Sequence, residues 1–111
     1  MSSVDHDMLN SLKELLDEKF SQLIQTYLED GSRRMELLKE AVADSNFEGI
    51  RQEAHGLKGS SRNIGANPIA ELCAQLEIMG RDKLGEGIEQ QFASVEQEFA
   101  AVSSELEKYL N

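Results

Sequence analysis

Apolar residues recur along most of this chain at alternating steps of three and four, the spacing that gathers them on one face of a helix. Met8, Leu12 and Leu15 form a short first stripe. Phe20, Ile24, Tyr27, Gly31, Met35, Leu38 and Val42 form a long second one. This stripe crosses Gly31 without losing phase, which predicts one helix over residues 18–43 and not two short ones. On the seam, Gly31 lets a neighbour approach or permits a bend. Asp44-Ser45-Asn46 is a turn with several possible N-caps. Phe47, Ile50, Ala54, Leu57, Ser61 and Ile64 make the third stripe, with Gly65 as its stop. Asn67-Pro68 reads as N-cap and N1 of a helix carrying Ile69, Leu72, Leu76 and Met79 and ending at Gly80. Gly85 and Gly87 bracket the next start. Ile88, Phe92, Val95, Phe99, Val102, Leu106 and Tyr109 complete the pattern. No stretch alternates apolar and polar residues long enough to be a strand.

Amphipathic helices joined by short turns lie antiparallel to their neighbours, because each stripe can be buried only against the others. The expected fold is all-α: an antiparallel up-down-up-down four-helix bundle, with a short additional N-terminal helix packed across one end. Composition agrees, since Leu, Ala, Glu, Lys and Gln are abundant while Thr and Pro occur once each and Trp never. At 111 residues the chain is expected to be a single domain, 1–111, without room for a separate catalytic module.

Charge and cysteine content narrow the function. Twenty-one acids against 11 Lys plus Arg give a net charge of −10, which argues against nucleic acid and anionic membranes as partners. The single cysteine, Cys73, allows neither an internal disulfide nor a cysteine-based zinc site. His6 and His55 are too far apart in sequence to suggest a metal set, and no metal or cofactor is expected. No phosphate-binding glycine loop or dinucleotide fingerprint is present. No apolar run reaches the roughly 20 residues of a membrane span, and the acidic N-terminus is not a secretory signal. A cytoplasmic protein is the expectation.

The informative segment runs from Arg51 to Ala66. On a helix its core seam centres between Ala54 and Leu57, so His55 points to a solvent-facing flank. Lys58 and Gly59 share that flank at i+3 and i+4, as do Arg51 and Arg62 at i−4 and i+7. Three cations therefore surround one imidazole on an acidic protein, and the one acid between them, Glu53, points elsewhere. A positive patch of this kind suits an anion. Gly59 costs helix stability of about 1 kcal/mol relative to alanine. Clearance for another molecule to reach the ring is one use for it. Gly56 costs the same and has no evident role in the sequence. Ser60 and Ser61 lack the partners of a catalytic triad, and Ser61 on the seam suits close helix packing.

The string His55-Gly56-Leu57-Lys58-Gly59-Ser60-Ser61, with Gly65-Ala66 following, resembles the signature of histidine-containing phosphotransfer domains. The Asn67-Pro68 helix start, the 71–77 run Glu-Leu-Cys-Ala-Gln-Leu-Glu and the flanking long helices extend the resemblance over nearly the whole chain. It implies a phosphorelay intermediate of the free-standing bacterial type. His55 would accept a phosphoryl group from the receiver domain of a hybrid sensor histidine kinase and pass it to the receiver aspartate of a response regulator. Lys58 would offset charge on the phosphoryl oxygens, with Arg51 and Arg62 as weaker, longer-range contributors. Gly59 would leave room for the receiver. The family's phosphorylated atom is the distal nitrogen, Nε2; the sequence alone does not choose. The magnesium used in transfer belongs to the receiver. No ATP site or autokinase activity is expected, and the protein is expected to act as a monomer.

Two other readings compete. A sensor kinase also carries a histidine on a four-helix bundle, formed by dimerisation, but there an acid follows the histidine and a proline comes soon after. Here Gly56 follows, and Pro68 lies in another helix. A helical scaffold that binds signalling partners would need the bundle and the patch but not the nucleophile.

Overall fold

The structure, a computed structural model, describes residues 2–110 and contains five helices: α1 His6–Leu16, α2 Glu18–Ala43, α3 Phe47–Asn63, α4 Asn67–Arg81 and α5 Ile88–Glu107. No strand occurs among the described residues. Helices α2 to α5 close a ring in which each packs on the next and α5 returns to α2. This is the antiparallel four-helix bundle the stripes predict, with α1 as the short extra helix.

The long α2 runs through Gly31 unbroken because the glycine accommodates the neighbouring helix. A Cβ there would lie 2.5 Å from Cε1 of Phe99 on α5. Helix α3 starts at Asn46, whose side chain accepts the Gly49 amide at 3.0 Å, and stops before Gly65, which takes φ +79°. Ile50, Ala54, Leu57 and Ser61 form its buried face. Ser61 keeps a polar partner in the core, the Tyr27 hydroxyl on α2 at 2.7 Å. Burial pushes the Tyr27 phenol well above its usual range, so it stays neutral there. Gly87, in the left-handed region at φ +82°, opens α5.

Four expectations need correction. In α1 the buried residue is Leu9, with Leu12 and Leu16 half-buried, while Leu15 is 79% exposed. The doublets Met8-Leu9 and Leu15-Leu16 fit two helical phases one residue apart, and tertiary packing selects the second. In α4 the first helical residue is Asn67, not Pro68; Ala66 holds the cap position and no side chain caps the helix. The α4 seam is Ile69, Cys73, Leu76 and Gly80, with Leu72 and Met79 half-buried beside it. Gly80 does not end α4. It is buried where α4 crosses α3, and a Cβ there would sit 2.8 Å from both Arg51 N and Phe47 O. The α4 helix ends instead at Arg81, before a turn in which Lys83 takes φ +56°.

Helix α1 is fastened at the end of the bundle where the α3–α4 turn meets the C-terminal part of the chain. The Asp5 amide donates to Gly65 O at 2.9 Å, and Val4 is buried. His6 stacks on the Tyr109 ring and its Nδ1 meets the Tyr109 hydroxyl.

Candidate functional site

The α3–α4 pair builds the site. His55 stands on the outer flank of α3 with its side chain 64% exposed, and Ala54 and Leu57 on either side of it are buried. Its Nδ1 lies 3.0 Å from Oε2 of Glu77 on α4. The other carboxylate oxygen, Oε1, is shut off from water and lies 2.6 Å from the Lys58 ammonium. One carboxylate thus joins the two α3 side chains three residues apart.

Glu77 changes the electrostatics expected at this site. Burial by itself pushes its carboxyl up, but the hydrogen bonds from Lys58 and His55 outweigh that and hold it below its ordinary value. At neutral pH it is an ionised, acceptor-only group. The proton of a neutral His55 ring is therefore assigned to Nδ1, and the lone pair is left on Nε2. No other hydrogen-bond partner of the ring occurs among the described residues.

The expected bare ring of cations is not what surrounds the imidazole, because a carboxylate lies at its centre. Lys58 is not a solvated lysine either: its side chain is only 20% exposed and is paired. Arg51 lies one turn before His55, with its Nε bound to Glu48 Oε1 at 2.7 Å, and it also feels the Glu77 charge. Arg81, which the sequence did not single out, feels the same charge from α4 while its Nε contacts Asp82 at 2.9 Å. Arg62 is exposed and takes no part in the Glu77 cluster. A Cβ on Gly59 would meet nothing within 4 Å, so the helix surface beside the ring is open.

Gly56 has a plain structural reason. A Cβ there would run into the guanidinium of Arg34, which crosses from α2. Arg34 binds Asp30 at 2.9 Å and Glu53 at 3.0 Å, so Glu53 faces α2 and not the histidine.

Glu77 went unnoticed in the sequence because it is 22 positions from His55 and on another helix. One signal could have found it. Counting outward from the turn at Ala66, positions 55 and 77 are equidistant, so a tight antiparallel hairpin sets them side by side. Cys73 lies one turn before Glu77 on α4 and feels the charges of Glu77 and Lys58, but it is buried. Burial pushes the Cys73 thiol up to about 12, and no group of three metal-ligating side chains occurs among the described residues.

A helical bundle that presents an imidazole with one nitrogen fixed by a carboxylate and the other facing solvent has the form of a histidine phosphotransfer protein. The sequence matches the Hpt domain family over residues 22–105, and the chain belongs to that family. Among solved structures it is similar to the histidine-containing phosphotransfer protein B (HptB) of Pseudomonas aeruginosa PAO1. That pair is 28% identical with a TM-score of 0.93, over 97% of this chain and 94% of the other. A putative histidine-containing phosphotransfer protein from rice shares the fold, with 24% identity and a TM-score of 0.78 over 97% of this chain and 79% of the other. No curated protein matches the sequence. The chain is thus a histidine phosphotransfer carrier of phosphorelay signalling, whose partners are of the kinase and response-regulator kind. No helix among the described residues is long and apolar enough to cross a membrane.

Proposed function

We propose that His55 is the phosphorylated residue and that Nε2 is the atom that carries the phosphoryl group. The observation that carries this is the Glu77 contact to Nδ1, which leaves the distal nitrogen as the free base. In the proposed step the Nε2 lone pair attacks phosphorus of a receiver aspartyl phosphate. The N–P bond forms as the P–O bond to the aspartate breaks, and the aspartate leaves as a carboxylate. The ring keeps its Nδ1 proton and becomes cationic, which the Glu77 carboxylate favours. Transfer to a response-regulator aspartate is the reverse of this step.

Lys58 begins on the Glu77 side of the ring and supplies the positive charge nearest the incoming oxygens, while Arg51 contributes at longer range. Gly59 keeps the approach clear. The chain acts as one domain and as a monomer, since one copy supplies all four helices of the bundle. It needs no ATP site because the donor arrives already phosphorylated.

The test is incubation with receiver domains charged by acetyl phosphate. The parent protein is expected to gain an acid-labile, base-stable phosphate on the peptide containing residue 55. His55→Gln is expected to gain none. Label on His6, or full labelling of His55→Gln, overturns the assignment. A scaffold would bind receivers equally well with either residue and remain unlabelled.

A further inference from the structure

Arg62 stands apart from every other cation on the two helices that form the site. Arg51 is paired with Glu48, Lys58 with Glu77 and Arg81 with Asp82. Among the described residues, no carboxylate lies within 4 Å of the Arg62 side chain, although the chain carries 21 acids. Arg62 is exposed on the same flank of α3 as His55, two turns further along, and Gly59, beside which the surface is open, lies between them. Seven residues of helix advance about 10 Å. That is beyond a Debye length at physiological salt, so Arg62 acts weakly on a phosphoryl group at His55. A cation left free on the open side of a transfer site instead fits the body of an incoming partner.

We propose that Arg62 is a docking residue that selects receiver domains carrying a carboxylate roughly 10 Å from their phosphoacceptor aspartate. The inference rests on His55 as the phosphorylated residue and adds to it how partners are chosen. The ion pair forms only in the complex, across the gap that Gly59 leaves. It fixes the register of the receiver along α3 and brings its aspartate over Nε2. The phosphoryl group itself does not touch Arg62.

Two donors separate docking from chemistry. Phosphoramidate, a small phosphoryl donor, needs no docking; a phosphorylated receiver domain does. With phosphoramidate, labelling of Arg62→Glu is expected to stay within about twofold of the parent. With the receiver, the concentration giving half-maximal transfer rate is expected to rise about three- to fivefold for Arg62→Ala and about tenfold for Arg62→Glu. The rate at saturating receiver should be kept. Arg62→Lys should recover most of the loss, and reversing the matching receiver carboxylate to arginine should rescue Arg62→Glu. An unchanged half-maximal concentration in Arg62→Glu overturns the proposal, as does an equal slowing with both donors, which would place Arg62 at the phosphoryl group. A parent protein labelled at a residue other than His55 overturns the reading beneath it instead.

Discussion

At the scale of single residues, the site depends on how one carboxylate is shared. Glu77 gives one oxygen to the imidazole and the other to Lys58, and neither side chain of the Lys58–Glu77 pair is more than 20% exposed. Lys58 neutralises Glu77 at rest, and in the function proposed above it would also meet phosphoryl oxygens during transfer. Lys58→Ala is expected to slow transfer several-fold with phosphoramidate and receiver donors alike, since its effect is on the phosphoryl group. It should also lower stability by roughly 1 kcal/mol, because Glu77 Oε1 would be left buried without its cation. Thermal unfolding beside the two transfer rates checks both. Unchanged melting would mean that the pair is not held in solution. Lys58→Arg should keep part of the rate, since charge survives while geometry changes.

At the scale of helices, α4 crosses closely over α3 at Gly80. A methyl group there meets backbone atoms, Arg51 N and Phe47 O, which cannot swing aside as a flexible side chain would. Gly80→Ala is expected to destabilise the bundle by about 1–3 kcal/mol, against the gain in helix propensity that alanine normally brings. Part of the strain should relax by separating α3 from α4, which loosens the His55–Glu77 contact. Denaturant unfolding measures the first effect, and the histidine ring nitrogen shifts in an NMR spectrum measure the second. A more stable Gly80→Ala protein would show that the crossing is wider than 2.8 Å implies. The same crossing shows where the sequence could be read and where it could not. The α2 and α5 stripes were legible because each repeats over many turns with one phase. In α4, Gly80 read as a stop, since a glycine at a close crossing and a glycine at a helix end look alike along the chain. In α1, adjacent apolar doublets left the phase open by one residue. At the site, His55, Lys58 and Gly59 lie within one turn and could be seen together. Glu77, Arg81 and the Arg34 contact that explains Gly56 depend on which helices meet, and local spacing does not show that.

At the scale of the whole molecule, the chain is a −10 bundle whose paired carboxylates tie helices to one another or to themselves. Burial raises the Asp30 carboxyl, but the bonds from Arg33 and Arg34 prevail and lower it, as Lys58 and His55 lower Glu77. A carboxyl held low in the folded state adds stability in full above its unfolded value and loses it as the pH falls through the folded one. Stability is thus expected to be level near neutrality and to fall as the pH drops below the ordinary values of 4.5 for Glu77 and 3.8 for Asp30. Glu77→Gln should be less stable than the parent at pH 7 and lose less on acidification, so the two curves converge at low pH. Urea unfolding between pH 7 and pH 3 checks this, and parallel curves would remove Glu77 from the acid response.

The span between the two halves of the site also has a consequence in time. His55 precedes Glu77 by 22 positions, and proteins are made from the N-terminus at about 5–20 residues per second. For roughly one to four seconds of its synthesis, a growing chain already contains the histidine while the carboxylate that orders its ring does not yet exist. During that interval the imidazole is free to hold its proton on either nitrogen. The ring is ordered only once α4 has been made and has folded back on α3, so the nascent protein orients its imidazole and finishes its hairpin at the same moment.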